Sequence, residues 1–472
     1  MRSRDDLFAY QNHAVEFIKT HPNCALWVDM GLGKTVSTLT AFADLQDSLR
    51  VSRMLVIAPK RVARRVWSDE VKEWTHLNGL TVSRIVGSEA ECFKALQTGA
   101  DIHTIGRERL PWLAAQFLDP STGKLKYNFP WDMVVVDESQ SLKSQSSQRW
   151  KALKLLRPHF SRLVQLSGTP LPNGYGDLWS QFKLLDDGSR LGSTERDYKE
   201  RWFTPPQGMF SKWVLKPRAQ KLVRERVSDI VLALREEDYL TLPPVVNNFI
   251  RVTLSAPALR TYKEMAREYV AEVAGKKLTA VNAGVLDGKL LQLANGAVYH
   301  SEKQWVEFHT AKLDALEETL EALPGKVLIA YGYQHDLERI KRVAAKLGKE
   351  NGKTWDVLRT DESFDRWARG EIDWGILHPA SAGHGLNDMY KAGCEDLIHF
   401  GGMSNYEWYA QVNARIAGGH RRAGKSIRIH HIVADGTRDD DYVRLLRNKG
   451  VTQDDFTDSL AVVVREVVRE AV

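Results

Sequence analysis

Apolar and polar positions follow two rhythms along the first 190 residues. Short unbroken apolar runs at 25–28, 54–58, 133–136 and 163–166 each end at a polar, Gly- or Pro-marked loop, and helical patterns lie between them. Strands covered on both faces read as continuous apolar runs, and strands alternating with helices predict a parallel sheet. The pattern predicts an α/β fold that binds its ligand at the carboxyl ends of its strands.

From about residue 190 to 238 the pattern turns helical, basic and aromatic, and Leu242-Pro243-Pro244 then punctuates the chain. A second alternating set follows, with strand candidates at 327–330, 374–377, 397–400 and 427–433, and a helical elaboration over 255–295. The expected organisation is a first lobe over 1–190, a basic aromatic helical insertion and junction over 191–244, and a second lobe over 245–472. No repeat or low-complexity tract interrupts it. In the tail, Val464, Val467, Val468 and Ala471 fall at helical spacing, as in a helix packed on the body or docking a partner.

Composition narrows the class. Of 472 residues, 43% are hydrophobic and 27% charged, as expected of a soluble protein with sizeable cores. No apolar run approaches the ~20 residues of a membrane span, and the polar start Met1-Arg2-Ser3-Arg4-Asp5-Asp6 is unlike a signal peptide. Cys24, Cys92 and Cys394 are far apart, which speaks against a disulfide framework or zinc site and for a reducing cytoplasm. The net charge of +6 points to a polyanionic partner. Between Arg190 and Arg235 lie 11 Lys/Arg against 5 Asp/Glu, with Trp202, Phe203, Phe210 and Trp213 among them. Lys212, Lys216 and Lys221 suit a phosphate backbone and the rings suit base stacking. A solvated insertion with ordinary core aromatics has the same composition, so both readings stay open.

The sharpest chemistry is Asp29-Met30-Gly31-Leu32-Gly33-Lys34-Thr35, between a strand and a helix expected to start near Val36. Glycines let backbone N–H groups close round phosphate oxygens, and the helix N-terminus favours negative charge. Lys34 is expected to reach the β- and γ-phosphates of ATP, and the Thr35 hydroxyl to ligate Mg²⁺. Val28 stands where the usual pattern has its first glycine, a departure unexpected in a metabolic kinase. About 100 residues on, the strand Val134-Val135-Val136 delivers Asp137 and Glu138 to the same edge. Asp137 can hold Mg²⁺ through water and Glu138 can polarise the attacking water.

The segment Leu166-Ser167-Gly168-Thr169-Pro170-Leu171-Pro172-Asn173-Gly174-Tyr175-Gly176-Asp177-Leu178-Trp179 resembles motif III of the Swi/Snf-type superfamily 2 helicase-like ATPases. The resemblance covers most of the chain. Tyr10-Gln11 resembles the upstream motif whose Gln11 would read the adenine edge. Ala58-Pro59-Lys60, with Arg61, Trp67, Glu70 and Trp74 behind it, resembles motif Ia, which contacts the nucleic-acid backbone. The run 60–65 also satisfies a loose nuclear-localisation pattern, but its place directly after a strand favours motif Ia. Tyr239-Leu240-Thr241-Leu242-Pro243-Pro244 resembles the junction between lobes, residues 326–331 motif IV, and Ser381-Ala382-Gly383-His384-Gly385-Leu386-Asn387 motif V.

Motif VI opens at Gln411-Val412-Asn413-Ala414-Arg415, but Gly418 stands where its second arginine is expected. Arg421 and Arg422 follow slightly late, as though residues were inserted; Arg422 is favoured as the finger and Arg421 is the alternative. The helicase box reads Asp-Glu-Ser-Gln rather than DEAD or DEAH, which points to a viral or bacterial branch.

The resemblance implies two RecA-like parallel-sheet lobes with helical insertions and ATP between them. Its mechanism would have Lys34, Thr35, Asp137 and Glu138 face Arg415 and Arg422 across the cleft, while Ser167, Thr169, Gly385, Asn387 and Gln411 couple hydrolysis to movement on nucleic acid, most naturally duplex DNA. The expected setting is the cytoplasm of a bacterial or virus-infected cell. A strand-separating helicase, a nucleotide-gated DNA clamp and a small-molecule P-loop kinase are the competing readings. An intact Glu138 and a motif VI arginine weigh against the clamp, and the second lobe weighs against the kinase.

Overall fold

Among the described residues, nine strands belong to the first half of the chain: β1 (Asn23–Val28), β2 (Met54–Ala58), β3 (Val82–Ile85), β4 (Ile102–Gly106), β5 (Met133–Asp137), β6 (Arg162–Ser167), β7 (Phe203–Thr204), β8 (Val214–Leu215) and β9 (Val231–Leu234). The computed structural model describes residues 1–29, 31–119, 122–168, 174–205, 213–239, 243–274, 280–301, 304–382, 392–403, 405–422 and 424–447. The candidate helix in the tail lies outside these residues, as do Phe210 and Lys212.

Seven of the nine strands form one parallel sheet in the order β3-β4-β2-β5-β6-β1-β9. Alternate side chains feed two separate cores, one per face. Val134 and Val136 of β5 join Leu55 and Ile57 of β2 on one face, while Met133 and Val135 join Met54 and Val56 on the other. That double burial is why these strands read as unbroken apolar runs. Each fully buried aliphatic contributes about 1.5–3 kcal/mol, and truncating one, as in Leu26→Ala, would cost about 2–5 kcal/mol.

The segment expected as a helical insertion is built into this first unit. Its helices Glu195–Trp202 and Ala219–Val227 flank the β7–β8 hairpin, and β9 then pairs in parallel with β1 at the sheet edge. Trp202 and Phe203 lie in the core, and Trp213 packs against it. For these three rings packing, not base stacking, accounts for the aromatic content.

The second unit takes over near residue 242. Its strands are β10 (Val245–Val252), β11 (Ala297–Tyr299), β12 (Trp305–Glu307), β13 (Val327–Ala330), β14 (Trp355–Val357), β15 (Trp374–Leu377), β16 (Asp396–His399) and β17 (Ile427–Ala434). Six form a parallel sheet ordered β10-β17-β16-β13-β15-β14, and β11–β12 is a separate hairpin. Again two cores divide the faces, with Val327 and Ile329 on one and Leu328 and Ala330 on the other. The elaboration over 255–295 is the helix pair Ala256–Ala274 and Ala280–Asn295. The chain is thus an α/β protein of two parallel-sheet lobes.

Buried polar side chains bind the helix Ala280–Asn295 to the helices Ala311–Ala322, Gln334–Asn351 and Arg438–Arg447, which pack on the second unit. Lys312, wholly buried, pairs with Asp439 and donates to Asn295 Oδ1 at 2.8 Å, and Asn295 donates in turn to Asp336. Arg438 donates to Asp287 at 2.8 Å. Buried charges persist only when paired in this way.

Candidate active site

β1 ends at Val28 and the helix Lys34–Asp47 begins six residues later. Gly31 and Gly33 take φ of +84° and +81°, a region that L side chains adopt only with strain. At Gly33 a second restriction applies, because a Cβ there would lie 2.1 Å from Gln11 Nε2. The buried Gln11 donates that amide to the Leu32 carbonyl at 3.3 Å and accepts from the Phe8 N–H at 2.9 Å. The glutamine expected to read adenine is therefore also a strut under the phosphate loop. Lys34 Nζ donates to the Val28 carbonyl at 2.7 Å, and Thr35 is half-buried at the first turn. Met30 lies outside the described residues.

Two strands away, β5 presents its carboxylates. Asp137 accepts at Oδ1 from the Glu138 N–H (3.1 Å) and at Oδ2 from the Trp67 indole N–H (3.2 Å). Sequence reasoning placed Trp67 with a nucleic-acid motif. The structure buries it completely in the helix Val66–Glu73, where its polar edge needs a partner and finds Asp137. Glu138 holds a left-handed backbone (φ 56°, ψ 60°), which costs about 1–2 kcal/mol for a residue with a Cβ. Such strain in a buried acidic residue at a sheet edge is characteristic of functional sites.

A relay joins this edge to motif III. Gln140 Nε2 donates to Glu138 Oε2 at 2.8 Å, and Gln140 Oε1 accepts from Ser167 Oγ at 2.8 Å. The helicase-box departure from DEAD and DEAH thus supplies an amide that serves both neighbours at once. Strand register explains the proximity, since Asp137 stands opposite Leu166 and Ser167 opposite Trp27. Adjacent strands are about 4.8 Å apart, so β5, β6 and β1 deliver the carboxylates, Ser167 and the phosphate loop side by side. Thr169 lies outside the described residues.

Lys60 is the exposed first residue of the helix Lys60–Arg64, directly after β2, and Arg61 beside it is half-buried. β2 neighbours β5, so Lys60 shares the edge of Asp137. Elsewhere the basic segment divides. Lys221 is 81% exposed and lies 3.8 Å from the Glu225 carboxylate. Lys216 instead donates to the carbonyls of Glu200 (2.7 Å) and Arg201 (3.1 Å). It satisfies the end of the helix Glu195–Trp202, a structural duty its sequence context does not reveal.

In the second unit, Gln411 and Arg415 sit on the helix Tyr406–Arg422, Gln411 buried and Arg415 half-buried. The helix runs without interruption through positions 421 and 422, so the extra spacing in motif VI is not a looped-out insertion. Seven residues make almost two turns, which puts position 422 on the face of position 415 and position 421 well round from it. Gly385 and Asn387 lie outside the described residues.

Residues 10–303 match the model of the SNF2-related domain. The chain belongs to that family. This SNF2-related protein is 34% identical over 463 residues to protein p41 of Acyrthosiphon pisum secondary endosymbiont phage 1, covering 94% of this chain and 96% of p41. It is 23% identical over 457 residues to YwqA of Bacillus subtilis (strain 168), which carries the provisional name of an ATP-dependent helicase/translocase; the match covers 91% of this chain and 46% of YwqA. The SNF2-related chain thus spans nearly all of p41 but about half of YwqA. Among solved structures, the Pyrococcus furiosus Hef helicase domain superposes with a TM-score of 0.52 at 14% identity, covering 95% of this chain and 100% of that one, a likeness of fold. The SNF2-related protein is accordingly a helicase-like ATPase of superfamily 2. Among its described residues no helix is long and apolar enough to cross a membrane.

Proposed function

We propose that this chain is an ATP-hydrolysing motor that moves along duplex DNA with little processive strand separation. The observation that supports the reading is the convergence of Lys34, Asp137, Glu138 and Ser167 on one sheet edge, with Glu138 and Ser167 bridged by Gln140. In this reading Gly31, Leu32 and Gly33 offer backbone N–H groups to the phosphates, and Lys34 leaves the Val28 carbonyl for the β- and γ-oxygens. Glu138 orients the attacking water and accepts its proton. The second unit contributes Arg415 and Arg422, with Arg421 the alternative, to the charge that builds on the phosphoryl group. An arginine of this kind is worth ~10³–10⁵ in rate.

Thr35 and Asp137 are the residues that would hold Mg²⁺. Hydroxyl and carboxylate oxygens are the hard donors this ion prefers, and two protein ligands suffice when water and phosphate oxygens supply the rest. Bound there, Mg²⁺ would neutralise phosphate charge.

Lys60, Arg61 and Lys221 are the proposed backbone contacts, and Thr169, Gly385, Asn387 and Gln411 the proposed coupling residues. The match to p41 supports a setting in the cytoplasm of a virus-infected bacterium. The test pairs ATPase activity across duplex, single-stranded and branched DNA and RNA with two movement assays. Displacement of a triplex-forming strand without fork unwinding is the expected result. Efficient fork unwinding without triplex displacement would make the protein a strand-separating helicase, and slow turnover with tight DNA retention a nucleotide-gated clamp.

A further inference from the structure

The second sheet carries a row of rings against the helix Tyr406–Arg422. Phe249, His431 and His399 stand at matching register on the neighbouring strands β10, β17 and β16. Phe249 stacks on His431 with centroids 4.9 Å apart, and His431 on His399 at 5.2 Å with the planes 8° apart. Tyr409, in the first turn of the helix, meets both imidazoles, at 4.8 Å from His399 and 5.8 Å from His431.

A polar contact crosses from this row to the helix. His399 Nε2 lies 2.8 Å from Asn413 Oδ1. Burial holds the His399 imidazole neutral, pulling its pKa down to about 4. A neutral imidazole has a single N–H, and the amide oxygen can only accept, so the proton resides on Nε2. Asn413 lies two residues from Gln411 on one side and two from Arg415 on the other.

We propose that His399 is a positioning residue, which through Asn413 fixes the axial and rotational setting of the helix Tyr406–Arg422 and hence where positions 415 and 422 are presented. The inference rests on the reading of that helix as the one bearing the catalytic arginines. Apolar packing against a sheet is non-directional, whereas a hydrogen bond from a rigid, stacked ring selects one setting. A slip of one residue moves each arginine by about 1.5 Å along the axis and about 100° round it. Misplacement of about 1 Å can cost about 10²-fold in rate.

The test uses DNA-stimulated ATP hydrolysis by the full chain. His399→Phe keeps the ring, its volume and its stacking but removes the donor. It is expected to lower kcat about 10- to 100-fold with the KM for ATP and the thermal midpoint little changed. His399→Gln, which can still donate to Asn413, should recover much of the loss. Adding His399→Phe to Arg422→Ala should then cost little more. Wild-type kcat in His399→Phe, or a glutamine variant no better than the phenylalanine, would overturn the proposal. Should His399→Phe fail to fold, Asn413→Ala carries the same kcat-against-KM test. Full turnover in both Arg415→Ala and Arg422→Ala would instead overturn the arginine reading itself, whatever His399 does.

Discussion

The Trp67 indole N–H donates to Asp137 Oδ2 at 3.2 Å, from a ring wholly buried between the helix Val66–Glu73 and the first sheet. That bond leaves the carboxylate little freedom to rotate. Trp67→Phe preserves most of the buried area and removes the donor. Half-maximal ATPase activity is expected to need several-fold more Mg²⁺, with the KM for ATP nearly unchanged. A Mg²⁺ titration identical to wild type would reduce Trp67 to a core residue.

Lys34→Ala and Glu138→Gln should fail in different ways. Removing Lys34 takes away the cation on the phosphate loop, so both nucleotide affinity and hydrolysis should fall steeply. Glu138→Gln keeps shape and hydrogen bonding at the left-handed position and removes only the base, so ATP should bind with near-normal affinity while turnover stops. Fluorescent-nucleotide binding beside steady-state ATPase separates the two. DNA-stimulated turnover near wild type in Lys34→Ala would sink the loop assignment.

Lys216 and Lys221 give opposite expectations although only four residues separate them. Lys216→Met leaves two helix-terminal carbonyls without their donor and is expected to cost about 0.5–1.5 kcal/mol of stability, with the salt dependence of DNA binding unchanged. Lys221→Glu should leave stability nearly unaltered. If Lys221 touches a phosphate, it should lower the slope of log affinity against log salt by about 0.9 on duplex DNA. Urea melts and salt-titrated binding on the same two variants decide between them; an unchanged slope in Lys221→Glu removes it from the DNA surface.

Acid should weaken the second unit through its buried neutral imidazoles. Burial lowers His399 and His309 to about 4 and His431 well below its ordinary value. These groups stay neutral in the folded state and take up protons on unfolding, so the unfolded chain binds more protons below its ordinary histidine pKa of about 6.5. Stability should be level above that pH and decline as pH falls from about 6.5 towards 4. For His399 and His309, a fall from 6.5 to about 4 is worth at most about 3.4 kcal/mol each. Urea midpoints from pH 8 to pH 4.5 test this, and His399→Phe should remove part of the slope. A pH-independent midpoint above pH 5 would contradict the buried neutral imidazoles.

Much of the fold is legible in short windows of sequence. β2, β13 and β15 have the bounds predicted from their apolar runs, because a strand covered on both faces must be apolar throughout. β3, β9, β10 and β14 escaped that reading, and all four lie at the ends of their sheets, where a strand such as Val82-Ser83-Arg84-Ile85 is not bound to be apolar on both faces. The inner strand β4 escaped it too, because buried His103 and Thr104 break its apolar run. The phosphate loop and the Asp137–Glu138 pair were legible because their chemistry demands particular residues at fixed local spacing.

By itself, then, the sequence determined most of the inner strands, the two-lobe α/β class and the candidate nucleotide-site residues, which are written in patterns a few positions long. Only the tertiary structure decided what those residues touch. It brought Trp67 to Asp137 and Gln11 beneath Gly33, joined Ser167 to Glu138 through Gln140, set β9 beside β1, and gave Lys216 two helix-terminal carbonyls to satisfy. Hydrogen bonds of this kind require groups to meet within about 3 Å, and no local pattern of hydrophobic and polar positions encodes a meeting between residues dozens or hundreds of positions apart.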